Sequence, residues 1–192
     1  MKSKNRIYPV VKRGMDIFFS VALLFLLSLP MCAIALTVAF TSEGGAIFRQ
    51  RRVGREGREF ICYKFRTMYI TAPRSCPKAR FEDAYKYVTP VGRFLRRTSL
   101  DELPQLFNVL LGNMSLVGPR PLVAEEGEIH DLRRRCGVYR VRPGITGLAQ
   151  ISGRDALDDM EKARLDVRYA RGVSFSTDAR IVLGTLLCGA GR

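Results

Sequence analysis

The chain has 192 residues, of which 47% are hydrophobic, and it carries 32 lysines and arginines against 18 aspartates and glutamates, a formal net charge of +14. A chain of this length and apolar content can form the hydrophobic core of one domain, and it is too apolar to be disordered. Residues 1–100 hold 19 basic and 6 acidic side chains, while residues 101–192 hold 13 and 12. The asymmetry excludes an evenly charged soluble domain and predicts a polyanionic partner, either nucleic acid or an anionic membrane surface.

The first predicted element is an uncharged apolar segment of 24 residues, 17–40. As one straight helix it would be ~36 Å long, which exceeds the ~30 Å hydrocarbon core of a bilayer, so we predict membrane association. Basic residues flank both ends, and the positive-inside rule assigns such flanks to the cytoplasm. Pro30 kinks the helix near its middle. These features favour a re-entrant hairpin whose break is supported by Ser28, and the alternative is an ordinary kinked span.

The next predicted elements are short and basic. Residues 44–68 predict two strands around a Gly-rich turn, residues 71–86 a surface loop with a helical turn, and residues 91–97 a short helix. Ser99, with an acidic residue three positions later, fits a capping box that opens a helix ending before Gly112. A proline at position 104 predicts that the first turn of this helix is irregular.

The second half of the chain predicts helices separated by Gly-rich turns. Residues 122–136 predict a charged helix, residues 142–154 a Gly-rich loop with short extended pieces, and residues 155–171 an amphipathic helix. Residues 176–188 are apolar but too short to span a bilayer, so we expect them at the membrane interface.

Histidine and cysteine usage argues against two common kinds of site. The only histidine is His130, and its charged neighbours Glu128, Asp131 and Arg133 indicate a solvated helix face rather than a catalytic group. The cysteines are odd in number, widely spaced and without a CxxC pair, so neither a disulfide framework nor a zinc site is expected, and a reducing compartment is the simpler interpretation. They are Cys32, Cys62, Cys76, Cys136 and Cys188.

An adjacent acid pair, Asp101 and Glu102, stands among basic residues. Such carboxylates can bind a divalent cation such as Mg²⁺, and an aspartate can attack phosphorus directly. Arginines would then hold phosphate oxygens in bidentate fashion. A structural interpretation stays open, since acids in a first turn also stabilise helices, and the turns at 118–121 and 142–147 are of a kind that often only rigidifies a chain. The surrounding arginines are Arg93, Arg96, Arg97, Arg120 and Arg142.

Taken in order, these motifs resemble the bacterial sugar transferases, the monotopic polyprenyl-phosphate phosphoglycosyl transferases. The resemblance extends from about residue 11 to residue 187. It is carried by VKRGMDI, the apolar segment with Pro30, IFRQRRVG, FICYKFRTM, TSLDELPQLFNVLLGNMSLVGPRP, VRPGITGLAQISGR and a pattern of Asp166 to Tyr169 followed by Asp178. It implies a mostly helical α+β fold, with a re-entrant membrane helix in residues 1–42, a small cytoplasmic catalytic domain in residues 43–192, and interfacial amphipathic helices. One departure concerns the hairpin: many members have serine immediately before the proline, whereas this chain has Leu29 there and Ser28 one position earlier.

The resemblance implies a reaction on the cytoplasmic face of the bacterial inner membrane. A phospho-sugar would pass from a UDP-sugar to polyprenyl (undecaprenyl) phosphate, with release of UMP, as the first membrane step of glycoconjugate assembly. Asp101 would be the nucleophile that forms a phosphosugar-aspartyl intermediate, with Mg²⁺ bound against it. Glu102 matches the second acid, with metal tuning and proton transfer both open as its role. Membrane phospholipid is a further expected partner.

The same resemblance implies which residues bind the substrate. Lys64, Arg96 and Arg120 would contact phosphates, and the turn from Pro119 to Pro121 would help bind the nucleotide. Further substrate-binding residues would be Arg142, Gln150 and Arg154.

Two other function classes compete with this interpretation. A membrane-anchored basic module that binds nucleic acid would explain the charge and the apolar segment, but it gives no reason for an acid pair among arginines. Such a module is also expected to interleave aromatic residues with its basic run, and residues 49–58 contain none. Nucleic acid is therefore not the expected partner. A homologue that keeps the fold without activity is the other alternative, although both acids and the arginines are present.

Overall fold

The computed structural model describes residues 7–72, 85–153 and 157–190. Within these ranges, eight α-helices and four short strands form a mostly helical α+β fold, as predicted. Several predicted features lie outside the described residues: most of the 71–86 loop, the start of the 155–171 helix, Cys76 and Arg154.

The apolar segment forms two helices rather than one. Helix α1 covers Tyr8–Leu26 and helix α2 covers Ser28–Thr41, with a bend of 65° between them. Across the described ranges, no single helix has both the length and the apolar character that a membrane crossing requires, whereas α1 and α2 taken together reach both.

The break between the two helices lies at Leu27, three residues before the proline. Leu27 leaves the helical region with φ −95° and ψ 7°, and the hydroxyl of Ser28 donates to the carbonyl of Phe25 at 2.8 Å. Pro30 occupies the first turn of α2, where a missing N–H costs no intrahelical hydrogen bond. Ser28 thus contributes the polar contact at the break even though Leu29 takes the position before the proline.

A polar stripe fixes the first half of α1 to the rest of the protein. Its members recur every four residues, the spacing of one helix face. The Tyr8 hydroxyl and the Lys12 ammonium both donate to Asp178, at 2.6 Å and 2.7 Å. One turn further on, Asp16 accepts from the hydroxyl of Ser115 and from the backbone N–H that follows it, both at 3.0 Å. Because these groups are buried or half-buried, α1 has one defined orientation on the domain.

The two predicted strands around the Gly-rich turn are confirmed. Strand β1 (Ile47–Val53) pairs antiparallel with β2 (Glu59–Phe65), with Gln50 opposite Cys62. Since alternate residues of a strand share a face, Lys64 lies on the same side of β2 as the buried Cys62. The hairpin therefore aims the Lys64 side chain inward.

Between residues 90 and 110 the structure confirms one prediction and corrects another. Helix α3 covers Pro90–Thr98, as predicted, and α4 covers Gln105–Leu110 after a single 3₁₀ turn at Leu100–Glu102. The predicted irregular turn before α4 is confirmed, but its predicted cause is wrong, because Leu103, the residue before Pro104, has helical angles (φ −53°, ψ −38°). The capping box is wrong, because Ser99 adopts a left-handed conformation (φ 58°) and its side chain makes no capping hydrogen bond to this turn.

Two Gly-rich turns cross each other where β3 (Ser115–Val117) pairs in parallel with β4 (Gly144–Thr146). A Cβ at Gly118 would lie 2.5 Å from a backbone oxygen, and one at Gly147 would lie 2.2 Å from the Gly118 oxygen. A Cβ at Gly144 would lie 2.0 Å from the Gly118 nitrogen. These glycines are required by the close approach of two backbones.

The remaining helices pack around this crossing. The sequence prediction missed the signal that starts α7, a capping box in which Asp158 accepts from the N–H of Glu161 (2.6 Å) and Glu161 accepts from the N–H of Asp158 (3.1 Å). The four helices are α5 (Gly127–Arg135), α6 (Leu148–Ile151), α7 (Asp159–Arg171) and α8 (Phe175–Ala190).

Two predictions about the α5 region are wrong. The charged helix predicted over residues 122–136 starts only at Gly127, because the preceding residues form an irregular segment. His130 lies on a buried face, with 7% of its surface exposed. Its Nε2 donates to the carbonyl of Val123 at 2.7 Å, and its Nδ1 bonds the hydroxyl of Tyr139. The histidine is a hydrogen-bonded core residue.

Three small apolar clusters hold these elements together. The first joins α2 to β2 and α3, the second joins β2 to α4, and the third joins β3 to α7 and α8. Their buried members are Val38, Phe65 and Leu95; Cys62, Val109 and Met114; and Val117, Tyr169 and Ile181. Helix α2 is thus packed directly on β2 and α3.

We expect Gly144→Ala to destabilise the fold by about 3 kcal/mol, because the new methyl group meets the backbone of Gly118 and neither strand can shift without losing the β3–β4 pairing. Gly14→Ala is the matched control, since a Cβ there meets no atom within 4 Å and alanine favours a helix interior by about 1 kcal/mol. Denaturant unfolding in detergent measures both changes. Equal stability of Gly144→Ala and the parent chain would contradict the close approach.

Candidate functional site

The acid pair is presented by an irregular piece of backbone rather than by a regular helix. The left-handed Ser99 ends α3 and turns the chain, and the following 3₁₀ turn holds Asp101 and Glu102 just before α4 begins. Leu103 and Pro104 both have helical backbone angles and connect this turn to the start of α4 at Gln105. Both carboxylates therefore lie near the start of α4, where the helix dipole favours negative charge.

Asp101 is 9% exposed, and burial raises the pKa of its carboxyl group. The Lys64 ammonium and the Arg96 guanidinium lie close enough to oppose this effect, while the negative charge of Glu102 adds to it. The raised pKa means that the folded protein holds a carboxylate whose charge is incompletely solvated. Such a group gains from a cation or from a reaction that disperses its charge.

Glu102 is held by two cations from different parts of the chain. The Lys64 Nζ atom lies 2.7 Å from Glu102 Oε1, and the Arg120 Nη1 atom lies 3.6 Å from the same oxygen. The Lys64 and Glu102 side chains are mostly buried, so solvent screens their attraction less than it would on the surface. The contact fixes the direction of the Lys64 side chain.

Arg96 reaches the acid pair from α3. Its Nε atom donates to the hydroxyl of the buried Thr67 at 2.8 Å, and its charge acts on Asp101. Helix α3 can approach Thr67 closely because Gly92 faces it, and a Cβ at that position would lie 2.1 Å from the Thr67 carbonyl oxygen. The glycine thus allows Arg96 to stand beside Asp101.

A small cavity opens beside the acid pair. Its charged lining residues within the described ranges are three cations and Glu102, so the cavity attracts an anion. Pro121 also lines it, which brings one end of the predicted nucleotide-binding turn to the site. The full lining is Arg52, Cys62, Lys64, Glu102, Gln105, Arg120, Pro121, Gly144 and Ile145.

Arg52 belongs to this cavity and was missed by the sequence analysis. Its Nη2 atom donates to Gln50 at 2.7 Å, and its Nη1 atom donates to the carbonyl of Pro121 at 3.1 Å. The period-two pattern of β1 placed it on the inner face opposite Phe60, so the strand prediction contained the signal.

The other predicted substrate-binding residues lie at different places. Arg142 donates from Nε to the carbonyl of Gly112 at 2.8 Å, just past the C-terminal end of α4. Gln150 donates to the carbonyl of Ile145 at 3.3 Å, and Pro119 lines a second small cavity beside the first. Arg142, Gln150 and Pro119 are therefore not among the residues that line the cavity at the acid pair.

The donor chemistry of the acid pair fits Mg²⁺. The described residues contain no group of three or more histidine, cysteine, aspartate or glutamate side chains that would cage a metal ion. Mg²⁺ is usually bound by one or two carboxylates and completes its shell with water and substrate phosphates. Asp101 would hold the ion, with Glu102 adjacent to it. Burial raises the pKa of the Asp101 carboxyl group, so a bound cation would stabilise its charged form.

Comparison with known proteins places this chain in a family. The sequence model described as "Bacterial sugar transferase" matches residues 7–191. A UDP-glucose:undecaprenyl-phosphate glucose-1-phosphate transferase from Escherichia coli (strain K12) is 42% identical over 94% of this chain and 40% of its own length. An undecaprenyl-phosphate galactose phosphotransferase from Salmonella typhimurium is 40% identical over 91% of this chain and 39% of its own length.

A shorter relative matches over most of its own length. The exopolysaccharide production protein ExoY from Sinorhizobium fredii is 38% identical over 92% of this chain and 84% of that protein. The chain spans about two fifths of the length of the two longer relatives. Because the family match covers the membrane-type helices, the acid pair and the C-terminal helices alike, the chain belongs to the bacterial sugar transferase family.

Proposed function

We propose that the protein transfers a phospho-sugar from a UDP-sugar to undecaprenyl phosphate and releases UMP. The observation that carries the proposal is the buried Asp101, next to a glutamate and within reach of the charges of Lys64 and Arg96. Basic side chains around a carboxylate suit a reaction in which both substrates carry phosphates. The names of the relatives, which include a glucose-1-phosphate transferase and a galactose phosphotransferase, support the same substrate classes.

In the first proposed step, an oxygen of the Asp101 carboxylate attacks the phosphorus that bears the sugar. The bond from this phosphorus to the bridging oxygen breaks, and UMP leaves with the electron pair. In the second step, a phosphate oxygen of the lipid attacks the same phosphorus, and the Asp101 carboxylate leaves. Both steps are charge-balanced exchanges between oxygen nucleophiles, so a single carboxylate can perform them in turn.

The cations have distinct roles in this mechanism. Lys64 and Arg120, which both reach Glu102, face the cavity and would hold the diphosphate oxygens. Arg96, oriented by its hydrogen bond to Thr67, would stabilise charge near the attacked phosphorus. Glu102 keeps Lys64 in place between turnovers. Mg²⁺ bound at Asp101 would supply further neutralisation of phosphate charge.

We infer that α1 and α2 form a re-entrant membrane hairpin. Exposed apolar surface of this extent is unfavourable in water and is removed by a bilayer. The polar stripe of α1 binds one end of the pair to the domain, and Val38 near the end of α2 packs on Phe65 and Leu95 of the same domain. A pair whose two ends contact one domain enters and leaves by one face. The exposed residues include Phe18, Phe25, Leu26, Leu29 and Phe40.

This topology would seat residues 43–192, the catalytic domain, on the cytoplasmic face of the inner membrane. Helix α8 would add to this membrane contact, because a row of its apolar residues is exposed at helical spacing. That row comprises Val182, Leu183, Leu186 and Leu187. We therefore propose that residues 176–188 lie at the membrane interface.

We expect the purified protein, with Mg²⁺ and undecaprenyl phosphate, to release UMP from at least one member of a UDP-sugar panel. Asp101→Asn should abolish the release, because an amide is not a nucleophile toward phosphorus. Asp131→Asn is the matched control, since that carboxylate is exposed and pairs only weakly with Arg134. A luminescent UMP assay measures all three proteins. If Asp101→Asn released UMP at the parental rate, Asp101 would not be the nucleophile.

We expect Asp101→Asn to raise the thermal unfolding temperature at neutral pH without Mg²⁺. Burial raises the pKa of Asp101 above its value in the unfolded chain, so ionisation at higher pH costs folding free energy, and below both pKa values this cost disappears. The gain should therefore shrink as the pH falls. Added Mg²⁺ should stabilise the parent chain and not the variant. Differential scanning fluorimetry measures this, and a lower melting temperature for the variant at neutral pH would contradict it.

We expect cysteines introduced at Asn5 and Arg55 to react with a membrane-impermeant maleimide from the same side. Both should label in inside-out membrane vesicles and stay unlabelled in intact spheroplasts, because a hairpin returns both flanks to the cytoplasm. The parent protein, with its exposed Cys32, provides the background signal. Labelling of the two positions from opposite sides would establish a kinked span instead.

A further inference from the structure

The segment that carries Arg120 has no regular secondary structure, and yet all of its carbonyls are hydrogen-bonded. It covers residues 119–123 and contains two prolines, which fix their own φ angles and have no N–H to donate. The donors to the successive carbonyls are the N–H of Gly144 (2.9 Å), Nη1 of Arg133 (2.8 Å), Nη1 of Arg52 (3.1 Å), the N–H of Val53 (2.9 Å) and Nε2 of His130 (2.7 Å).

These donors come from separate elements. Strand β4 supplies one, helix α5 supplies two, and strand β1 supplies two. A backbone held at five successive carbonyls by three elements has little freedom to move. The Arg120 side chain can still move, and its Nη1 atom lies 3.6 Å from Glu102 Oε1.

Of the two charged donors, Arg133 and Arg52, Arg133 is the more deeply buried. Only 3% of its surface is exposed, and its Nη2 atom bonds Asp166, which is 1% exposed. A buried ion pair gains little stability over apolar side chains of similar size, because both charges lose their hydration. Stability alone therefore gives a weak reason for this pair. The second bond of Arg133, from Nη1 to the carbonyl of Arg120, connects the pair to the candidate site.

We propose that Arg133, neutralised by Asp166, is a positioning residue that holds the Arg120 carbonyl so that the Arg120 guanidinium faces Glu102 and the substrate diphosphate. The proposal rests on the proposed function. A guanidinium suits the task because its planar fork bonds two acceptors in fixed directions, whereas a lysine ammonium acts as a single flexible charge. Arg52 shares the task at Pro121, but it also lines the cavity, so the test belongs at Arg133.

The first test is a pair of double-mutant cycles on kcat/KM for the UDP-sugar. Arg133→Lys keeps a charge for Asp166 and should lower kcat/KM about tenfold. If Arg133 acts through Arg120, the substitution should have no further effect in an Arg120→Ala background and its full effect in a Lys64→Ala background. The matched control is Arg134→Lys, the next residue on α5, whose side chain is 70% exposed. Equal factors in both backgrounds, or no loss in Arg133→Lys, would overturn the proposal.

The second test does not depend on activity. The amide protons of Val53 and Gly144, which donate to the carbonyls of Leu122 and Pro119, should exchange faster in Arg133→Lys, while exchange in residues 105–111 stays at the parental rate. If Arg133→Lys unfolds, Arg133→Met with Asp166→Leu removes both charges together and should keep the fold while these two amides still exchange faster. Unchanged exchange of both amides would refute the positioning role. Absence of UMP release by the parent chain would refute the proposed function and leave this test intact.

Discussion

Two adjacent carboxylates in a partly buried turn repel each other and lose hydration, so they persist only where cations balance them. This requirement governs the arrangement around Asp101 and Glu102. Lys64 comes from β2, Arg96 from α3 and Arg120 from the turn after β3, and each reaches the pair through a contact that fixes its direction. Helices and strands far apart in sequence are thus brought together at one electrostatic centre.

The close approaches in the fold serve this convergence. Gly92 lets α3 lie against Thr67, and the glycines at 118 and 144 let two turns cross beside the cavity. A larger residue at any of these positions would push a cation away from the acid pair. Packing and electrostatics are therefore coupled. The close backbone contacts at these glycines leave no room for a side chain, and they also set the distances between opposite charges.

The sequence predicted those features that depend on local pattern. The apolar segment, the β1–β2 hairpin and α3 follow from hydropathy, charge and alternation, and the structure has them. It also has the irregular turn before α4, but Leu103, where Pro104 was expected to disfavour a helix, has helical angles. The acid pair, Arg96 and Arg120 were recognisable from the charge pattern, whereas their roles and the addition of Lys64 came from the family resemblance. The capping box at Ser99 failed because the turn is set by a left-handed residue and by the ion pairs of Glu102. His130 and Arg133 act through tertiary contacts with carbonyls of residues 119–123, which no local pattern encodes. Arg52 makes a contact of the same kind, although the alternation of β1 indicated its inward face.

Helix α2 packs on β2 and α3, which carry Lys64 and Arg96, so the proposed membrane hairpin is in direct contact with elements of the candidate site. In the proposed mechanism, Asp101 becomes covalently attached to the transferred group. Intact-protein mass spectrometry after mixing with UDP-sugar and Mg²⁺, in the absence of lipid acceptor, tests this claim directly. We predict a mass increase equal to one sugar phosphate, with one equivalent of UMP released, loss of the adduct on addition of undecaprenyl phosphate, and no adduct on Asp101→Asn. Turnover without an adduct, or an adduct that survives Asp101→Asn, would contradict the account.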